Sequence, residues 1–430
     1  MNNQHTLAIR GMHDILPADV HYWQKLEAIC AQLMARYHYR EIRFPIVEAA
    51  ELFLHSVGQS SDIVSKETYS FNDRNGDRLT LRPEGTAGCI RALVQHQLLS
   101  VQPRQRLWYL GPMFRHERPQ HGRSRQFHQL GVEAVGIPGP IIAIELLLLA
   151  ARLFQQLGVD TQLKLHINCL GSVAARQTYR QQLVAYFTAH QAALDAASQQ
   201  RLKTNPLRIL DSKNPALRQL IQAAPKITDY LDPENKRYLS QVGAQLTSLG
   251  VAYTVNPYLV RGLDYYTGLV FEWVTASLGA QGTVCAGGCY DNLVAQFGGP
   301  PLPAIGFAVG LERLILLMQQ HANLPALSPH ACLLSVGLSA QVQALRIAEQ
   351  LRSALPHLRL LTCCDGQSFQ SQFKQADKSG AAIALVLGDK ELAEQRITVK
   401  YLRETRDQIT IAQTEVVKWL QNYLSPKPRV

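Results

Sequence analysis

The sequence predicts an α+β protein: an antiparallel-sheet domain carrying a helical insertion, followed by a small α/β domain. Three observations carry this expectation. Strand-like stretches in the first third are joined by hairpin signals rather than crossover helices, which implies antiparallel pairing. From about 173 to 249 the chain turns alanine- and glutamine-rich with helical periods. Beyond 331, strand-like and helical stretches alternate at the spacing of a small α/β unit with a largely parallel sheet.

Each element follows in order. Trp23, Leu26, Ile29, Leu33 and Met34 share a helical face between Val20 and Tyr37. The stretch Arg40 to Val47 reads as a strand, and Pro45 inside it lacks an N–H, so the strand belongs at an edge, an interface or a bulge. Thr68–Phe71 and Arg78–Leu81 flank a turn containing Asn75-Gly76, a hairpin signal. Arg106–Gly111 and Gln129–Gly136 read as strands joined by a long polar loop. The apolar run Ile141–Phe154 is short for a bilayer and contains Glu145, so it reads as a buried core helix. After the alanine-rich segment, strands return at Tyr253–Val255, Leu269–Val274 and Gly282–Ala286, and Ile305–Gln320 leads into a helix. The stretch His321–His330 reads as a linker. Beyond it come a strand (Ala331–Val336), a helix (Ala340–Leu355), a strand (Leu358–Cys363), a helix (Ser368–Lys378), a buried strand (Ala381–Leu387) and an amphipathic helix (Glu415–Leu424).

Composition narrows the function classes. The 430 residues suffice for two or three domains, and a net charge of +10 suits a polyanionic partner or an ordinary basic enzyme equally well. The eight cysteines form no C-x-x-C pair, which argues against a zinc ribbon or redox motif and fits a reducing compartment. The stretch Met1 to Arg10 is polar and has no apolar h-region, which argues against secretion. Neither a P-loop nor a G-x-G-x-x-G is present.

Four segments carry chemistry. Arg104 to Arg125 holds six arginines against one acid, Glu117. Guanidinium forks match phosphate geometry, so this loop reads as a triphosphate or RNA-backbone clamp, with a solvated basic loop as the alternative. In Leu81-Arg82-Pro83-Glu84-Gly85-Thr86, Glu84 either accepts from an ammonium group or sits as an acid at a helix N-terminus. Arg261-Gly262-Leu263-Asp264-Tyr265-Tyr266 is either a polar aromatic pocket edge or a strand edge packed on its tyrosines. In Gly306 to Arg313, small residues lead into a helix, and Arg313 either covers a planar ligand or merely follows close helix–sheet packing.

Together these segments resemble the three signature motifs of class II aminoacyl-tRNA synthetases. The Pro45 strand resembles motif 1, Phe114-Arg115-His116-Glu117 with the strand to Glu133 resembles motif 2, and Gly310-Leu311-Glu312-Arg313 resembles motif 3. Arg261 to Tyr266 and Gly287-Gly288-Cys289-Tyr290-Asp291 resemble the two signatures of the histidyl-tRNA synthetase family, bacterial type. Arg10-Gly11-Met12-His13-Asp14 and Leu81 to Thr86 match as well. There are departures: Cys289 stands where the family usually has Arg, Asn292 where it has Gly and Leu269 where it has Thr.

The resemblance implies a class II catalytic domain over 1–325, with its insertion at about 173–249, the end of a linker at 326–330 and an anticodon-binding domain over 331–426. It implies a cytoplasmic homodimer, away from membranes, that uses ATP with Mg²⁺ to join L-histidine to tRNA(His). Arg115 and Arg261 would be catalytic. Glu84, Thr86 and Gln129 would hold the α-ammonium group, and Glu133 and Tyr266, beside Tyr265, the imidazole. Arg115, Glu117, Arg123, Phe127 and Arg313 would bind ATP, and Gln120 would meet the tRNA acceptor end. No protein metal ligand is expected. The alternative is a non-catalytic, histidyl-synthetase-like regulatory subunit of histidine biosynthesis. Such relatives lose the motif arginines and the C-terminal domain, whereas Arg115, Arg261 and Arg313 are present here.

Overall fold

The computed structural model describes residues 6–58, 63–212, 214–279, 282–321, 324, 327–363 and 367–425. The chain divides into two compact units, Met1–Leu324 and Pro325–Val430. The expected boundaries at 325, 326 and 426, and most of the expected linker between 321 and 327, lie outside the described residues, as does Cys364.

In the first unit the strands are β1 (Arg40–Glu41), β2 (Val47–Ala49), β3 (Tyr69–Asn72), β4 (Arg78–Leu81), β5 (Gln105–Phe114), β6 (Gln126–Val135), β7 (Lys164–Cys169), β8 (Tyr253–Val255), β9 (Thr267–Val274), β10 (Thr283–Cys289) and β11 (Ala304–Gly310). Among the described residues, one sheet runs β1-β5-β6-β11-β10-β9-β7-β8. Every pairing from β5 to β7 in that order is antiparallel. Only the edge pairs β1–β5 and β7–β8 are parallel.

The expected strand over Arg40 to Val47 is two strands in two sheets. Ile42 N–H still donates to Trp108 O at 2.8 Å, and four residues later Ile46 O accepts from Arg82 N–H at 2.9 Å. Pro45, with no N–H for a ladder, lies where the chain leaves the large sheet for the small one, β2-β4-β3. The expected hairpin of that small sheet forms as β3 and β4. Its turn is tied by Asp73, whose Oδ1 accepts from the N–H groups of Asn75 and Asp77.

The large sheet is covered on both faces. On one, helices Val20–Arg36, Pro140–Leu157 and Leu311–His321 bury Leu26, Leu33, Leu146, Leu153 and Leu314. Pro140–Leu157 is longer than its apolar run suggested: by length and composition its 18 residues could cross a membrane. Its apolarity has another use, because Leu146, Leu147, Leu149, Leu153 and Phe154 are fully buried in this core. On the other face, Leu107, Tyr109 and Val270 pack with Tyr179, Leu183, Phe187 and Ile209 of the segment between β7 and β8. That segment is helical as expected. Three of its helices begin at Ser172, Asp195 and Asp232, each of which accepts a backbone N–H from the first turn.

The second unit contains β12 (Ala331–Ser335), β13 (Leu360–Thr362), β14 (Ile383–Leu387), β15 (Arg396–Tyr401) and β16 (Ile409–Ala412) in the order β13-β12-β14-β15-β16. The pairings β13–β12 and β12–β14 are parallel, while β14–β15 and β15–β16 are antiparallel. The expected largely parallel sheet is therefore mixed. Ile397, Val399 and Tyr401 alternate along β15 and bury their side chains against the helix Val416–Leu424 and its neighbours.

Candidate active site

The β5–β6 hairpin organises the site. Side chains alternate along β6, so Phe127, Gln129, Gly131 and Glu133 share one face. Beyond the paired strands the hairpin holds its shape through Arg115 N–H to Arg125 O (2.8 Å) and the Gln120–Arg123 bridge. A cavity of about 290 Å³ opens over this face. Glu84, Thr86 and Gln129 line it, as do Arg261, Tyr265 and Tyr266 from the loop before β9. The hairpin adds Arg115, Glu117, Arg123 and Phe127, and the helix after β11 adds Arg313. Two expected site residues lie off the wall: Gln120 on the hairpin loop, and Glu133 behind it.

The cations are individually braced. Arg115 Nε donates to Pro83 O at 2.9 Å, and its guanidinium lies 5.2 Å from the Phe127 ring centre. Arg123 pairs with Glu117 at 2.7 Å. Arg313, only 8% exposed, donates through Nε to Gly122 O at 3.2 Å and also to Thr283 O. Burial, with Arg123 close by, pulls its pKa down to about 10, so it remains a cation at neutral pH. Arg261 faces Glu272 at 3.4 Å and Tyr266 at 5.9 Å from the ring centre. Burial works against its charge, but Tyr266, Glu272 and Asp211 outweigh it and hold its pKa up. Its Nε is buried with no hydrogen-bond partner among the described residues.

The carboxylates differ in kind. Glu84 accepts from the N–H groups of Thr86 (2.8 Å) and Ala87 (2.9 Å), at the start of helix Thr86–Gln95. The acid therefore sits at a helix start and also lines the cavity. Burial pushes its carboxyl up, while the two amides and Arg115 pull it down. Glu133 is 1% exposed and accepts from Thr86 Oγ1 at 2.9 Å, Tyr109 OH at 3.1 Å and Tyr290 OH. Burial pushes its pKa up to about 8 against the hydroxyls of Tyr290, Thr86 and Tyr109, and Glu84 pushes the same way. Gln129 Oε1 is buried on the cavity wall and has no partner among the described residues, as expected of an atom left for a ligand.

Several residues of the site carried no expected role. Tyr290, within the second signature, lines the cavity, and Tyr109 stands behind Glu133. Glu272 takes both Arg261 and the Thr283 hydroxyl (3.0 Å). The helical insertion grips the Arg261–Tyr266 loop. Arg208 donates to Gly262 O at 2.8 Å, Arg176 to Tyr266 O at 3.0 Å and Asn205 to Asp264 Oδ1 at 3.3 Å. Freeing the loop next to Arg261 should slow chemistry more than binding. Arg208→Ala is expected to lower turnover about tenfold, near 1.4 kcal/mol of barrier, with little change in KM; steady-state kinetics of both parameters test this. Among the described residues, no three His, Cys, Asp or Glu side chains gather as a metal site.

Residues 11–314 match the family model for histidyl-tRNA synthetase, and residues 330–423 match an anticodon binding domain. The chain belongs to the histidyl-tRNA synthetase family. It is an aminoacyl-tRNA ligase specific for histidine, with a class II catalytic domain followed by an anticodon-binding domain. The solved structure of apo S. aureus histidyl-tRNA synthetase is 35% identical, with a TM-score of 0.80 over 96% of this chain and 99% of that one. Histidyl-tRNA synthetase from Nostoc sp. PCC 7120 shares the fold at 20% identity, with a TM-score of 0.70 over 97% of this chain and 100% of that one. A Bacillus halodurans protein described as an ATP phosphoribosyltransferase regulatory subunit/histidyl-tRNA synthetase shares it at 22%, with a TM-score of 0.66 over 90% of this chain and 100% of that one.

Proposed function

We propose that both steps of histidine–tRNA ligation use the cavity over β6, with ATP and L-histidine side by side. The observation that supports this reading is the meeting of Arg115, Arg261 and Arg313, from three distant stretches of chain, on one cavity beside Glu84, Gln129 and Tyr266. The histidine carboxylate attacks the α-phosphorus of ATP, and the bond to the β-phosphate breaks, giving histidyl-adenylate and pyrophosphate. The 3′-terminal ribose hydroxyl of tRNA(His) then attacks the activated carbonyl and AMP leaves. The carboxylate is already ionised, so the first step needs alignment and charge neutralisation rather than a protein nucleophile.

Arg115 and Arg261 take opposite sides of the α-phosphate. Arg123 and Arg313 hold the outer phosphates or cover the adenine, Phe127 stacks on it and Glu117 meets its amino group. Glu84, Thr86 and Gln129 take the histidine ammonium, and Glu133 and Tyr266 the imidazole, with Tyr265 behind them. Mg²⁺ supplies further charge neutralisation on the phosphates. It would arrive with the triphosphate and would need no direct protein ligand, since Glu117 already pairs with Arg123 and Glu312 with His128. Gln120, on the hairpin loop, meets the acceptor end of the tRNA, and the second unit receives the anticodon. Partnering as a homodimer in the cytoplasm belongs to the same reading. It is supported by the exposed apolar side chains of Ile46, Val47 and Phe71 on and beside the small sheet.

The test is pyrophosphate–ATP exchange with each of the twenty amino acids. Exchange with histidine alone is the expected result. Exchange with none would favour a regulatory role, and exchange with another amino acid would overturn the pocket assignment.

A further inference from the structure

We propose that Tyr109, which belongs to none of the signature segments and lies off the cavity wall, is a positioning residue for histidine recognition: its hydroxyl fixes the Glu133 carboxylate so that one acceptor site is left for one imidazole N–H. The inference rests on the reading of Glu133 as an imidazole partner.

The slot for Tyr109 is built from separate segments. Tyr109 on β5 lies opposite Gly131 on β6. A Cβ at Gly131 would fall 1.9 Å from its ring, and a Cβ at Gly85 2.1 Å from it. Phe44 closes the slot edge-on at 5.1 Å. The ring is 3% exposed, so its hydroxyl has one place to go. That place is Glu133 Oε1, at 3.1 Å, which also accepts from Thr86 Oγ1 at 2.9 Å.

Lone pairs complete the argument. An ionised carboxylate offers about four acceptor sites, two per oxygen. Thr86 and Tyr109 fill both sites on Oε1, and Tyr290 fills one on Oε2. One site on Oε2 remains. A Cβ at Gly306, a cavity-lining residue, would lie 1.8 Å from that oxygen, so only the absent side chain leaves room for Oε2 next to the cavity wall. A single N–H donor is what this arrangement accepts.

Tyr109 also favours the ionised form. Glu133 is pushed up to about 8 by burial, and the Tyr109 hydroxyl is one of the donors pulling it down. The other titratable groups around it are Glu84, Cys89, Tyr265, Tyr266 and Tyr290. Removing the Tyr109 hydroxyl therefore widens the pH range over which Glu133 keeps its proton and offers a poorer acceptor.

The test is Tyr109→Phe in the full-length enzyme, followed by histidine-dependent pyrophosphate exchange between pH 6 and 9. The KM for histidine is expected to rise about tenfold at pH 7, because a smaller share of Glu133 is ionised there once the hydroxyl is gone, and to recover as pH rises. The midpoint of that recovery should lie at higher pH than in the parent, with the KM for ATP unchanged. Partial unfolding would lower the amount of active enzyme, not KM or the midpoint, so a merely structural role gives a different signature. Glu133→Gln run in parallel separates two failures. If it raises the histidine KM while Tyr109→Phe leaves KM and midpoint at parent values, the positioning role is wrong. If neither changes KM, the imidazole reading of Glu133 is wrong.

Discussion

Replacing Arg261 by alanine is expected to cut histidine-dependent pyrophosphate exchange by two to three orders of magnitude while leaving histidine affinity nearly intact. Arg261 offers a preorganised cation whose Nε has no protein partner among the described residues and whose pairing with Glu272 is a long 3.4 Å. Its donors are thus available for charge that develops on the α-phosphate. Removing one such donor typically costs about 2.7–4 kcal/mol in the transition state. Histidine itself is assigned to Glu84, Gln129, Glu133 and Tyr266, so calorimetric titration with histidine alone should change by less than about twofold, under 0.5 kcal/mol. Arg261→Lys should fall between parent and alanine, because it keeps the charge but loses the planar fork. Exchange at the parent rate in the alanine variant would remove Arg261 from the chemistry.

The second large effect is expected at Glu133. Glu133→Gln keeps shape but trades an acceptor oxygen for an amide, and kcat/KM for histidine should fall about 100-fold, the scale of a lost charge-assisted hydrogen bond of about 3 kcal/mol. The same change should help stability at alkaline pH. The folded-state pKa of Glu133 is raised, to about 8, above its unfolded value, so the folded state is penalised for the ionised form. That penalty is absent below the unfolded pKa, grows as pH rises towards 8 and is complete above it. Melting curves should therefore show the variant gaining on the parent between pH 5 and pH 9. A constant difference across that range would mean that Glu133 is ionised at its ordinary pKa.

What could be read from the sequence was chemistry concentrated in residue type. Six arginines between Arg104 and Arg125, a tyrosine pair beside Arg261 and the small residues before Arg313 mark themselves without any geometry. The alternating sheet strands and the helical insertion were equally readable, because period and composition carry them. What depends on distant neighbours was hidden. Tyr109 sits in Leu107-Trp108-Tyr109-Leu110, a run that reads as plain strand core, and only the absent side chains of Gly85 and Gly131 give it a slot. Arg176 and Arg208 read as ordinary charges on helical sequence, yet they hold carbonyls of a loop more than 50 residues away. The stretch Arg40 to Val47 misled because a proline within a strand pattern allows an edge as readily as a change of sheet. The hairpin β15–β16 escaped because a charged turn, Arg403 to Gln408, separates two short strands after an uninformative helix.

The most direct measurement is a crystal structure of the protein with histidyl-adenylate or a stable analogue bound. Arg115 and Arg261 should lie within hydrogen-bonding distance of the α-phosphate oxygens, with the adenine against Phe127 and Arg313, and one imidazole N–H on Glu133 Oε2. An adenylate bound elsewhere, or Arg261 still turned to Glu272 with the phosphate out of its reach, would contradict the convergence of these guanidinium groups on one nucleotide.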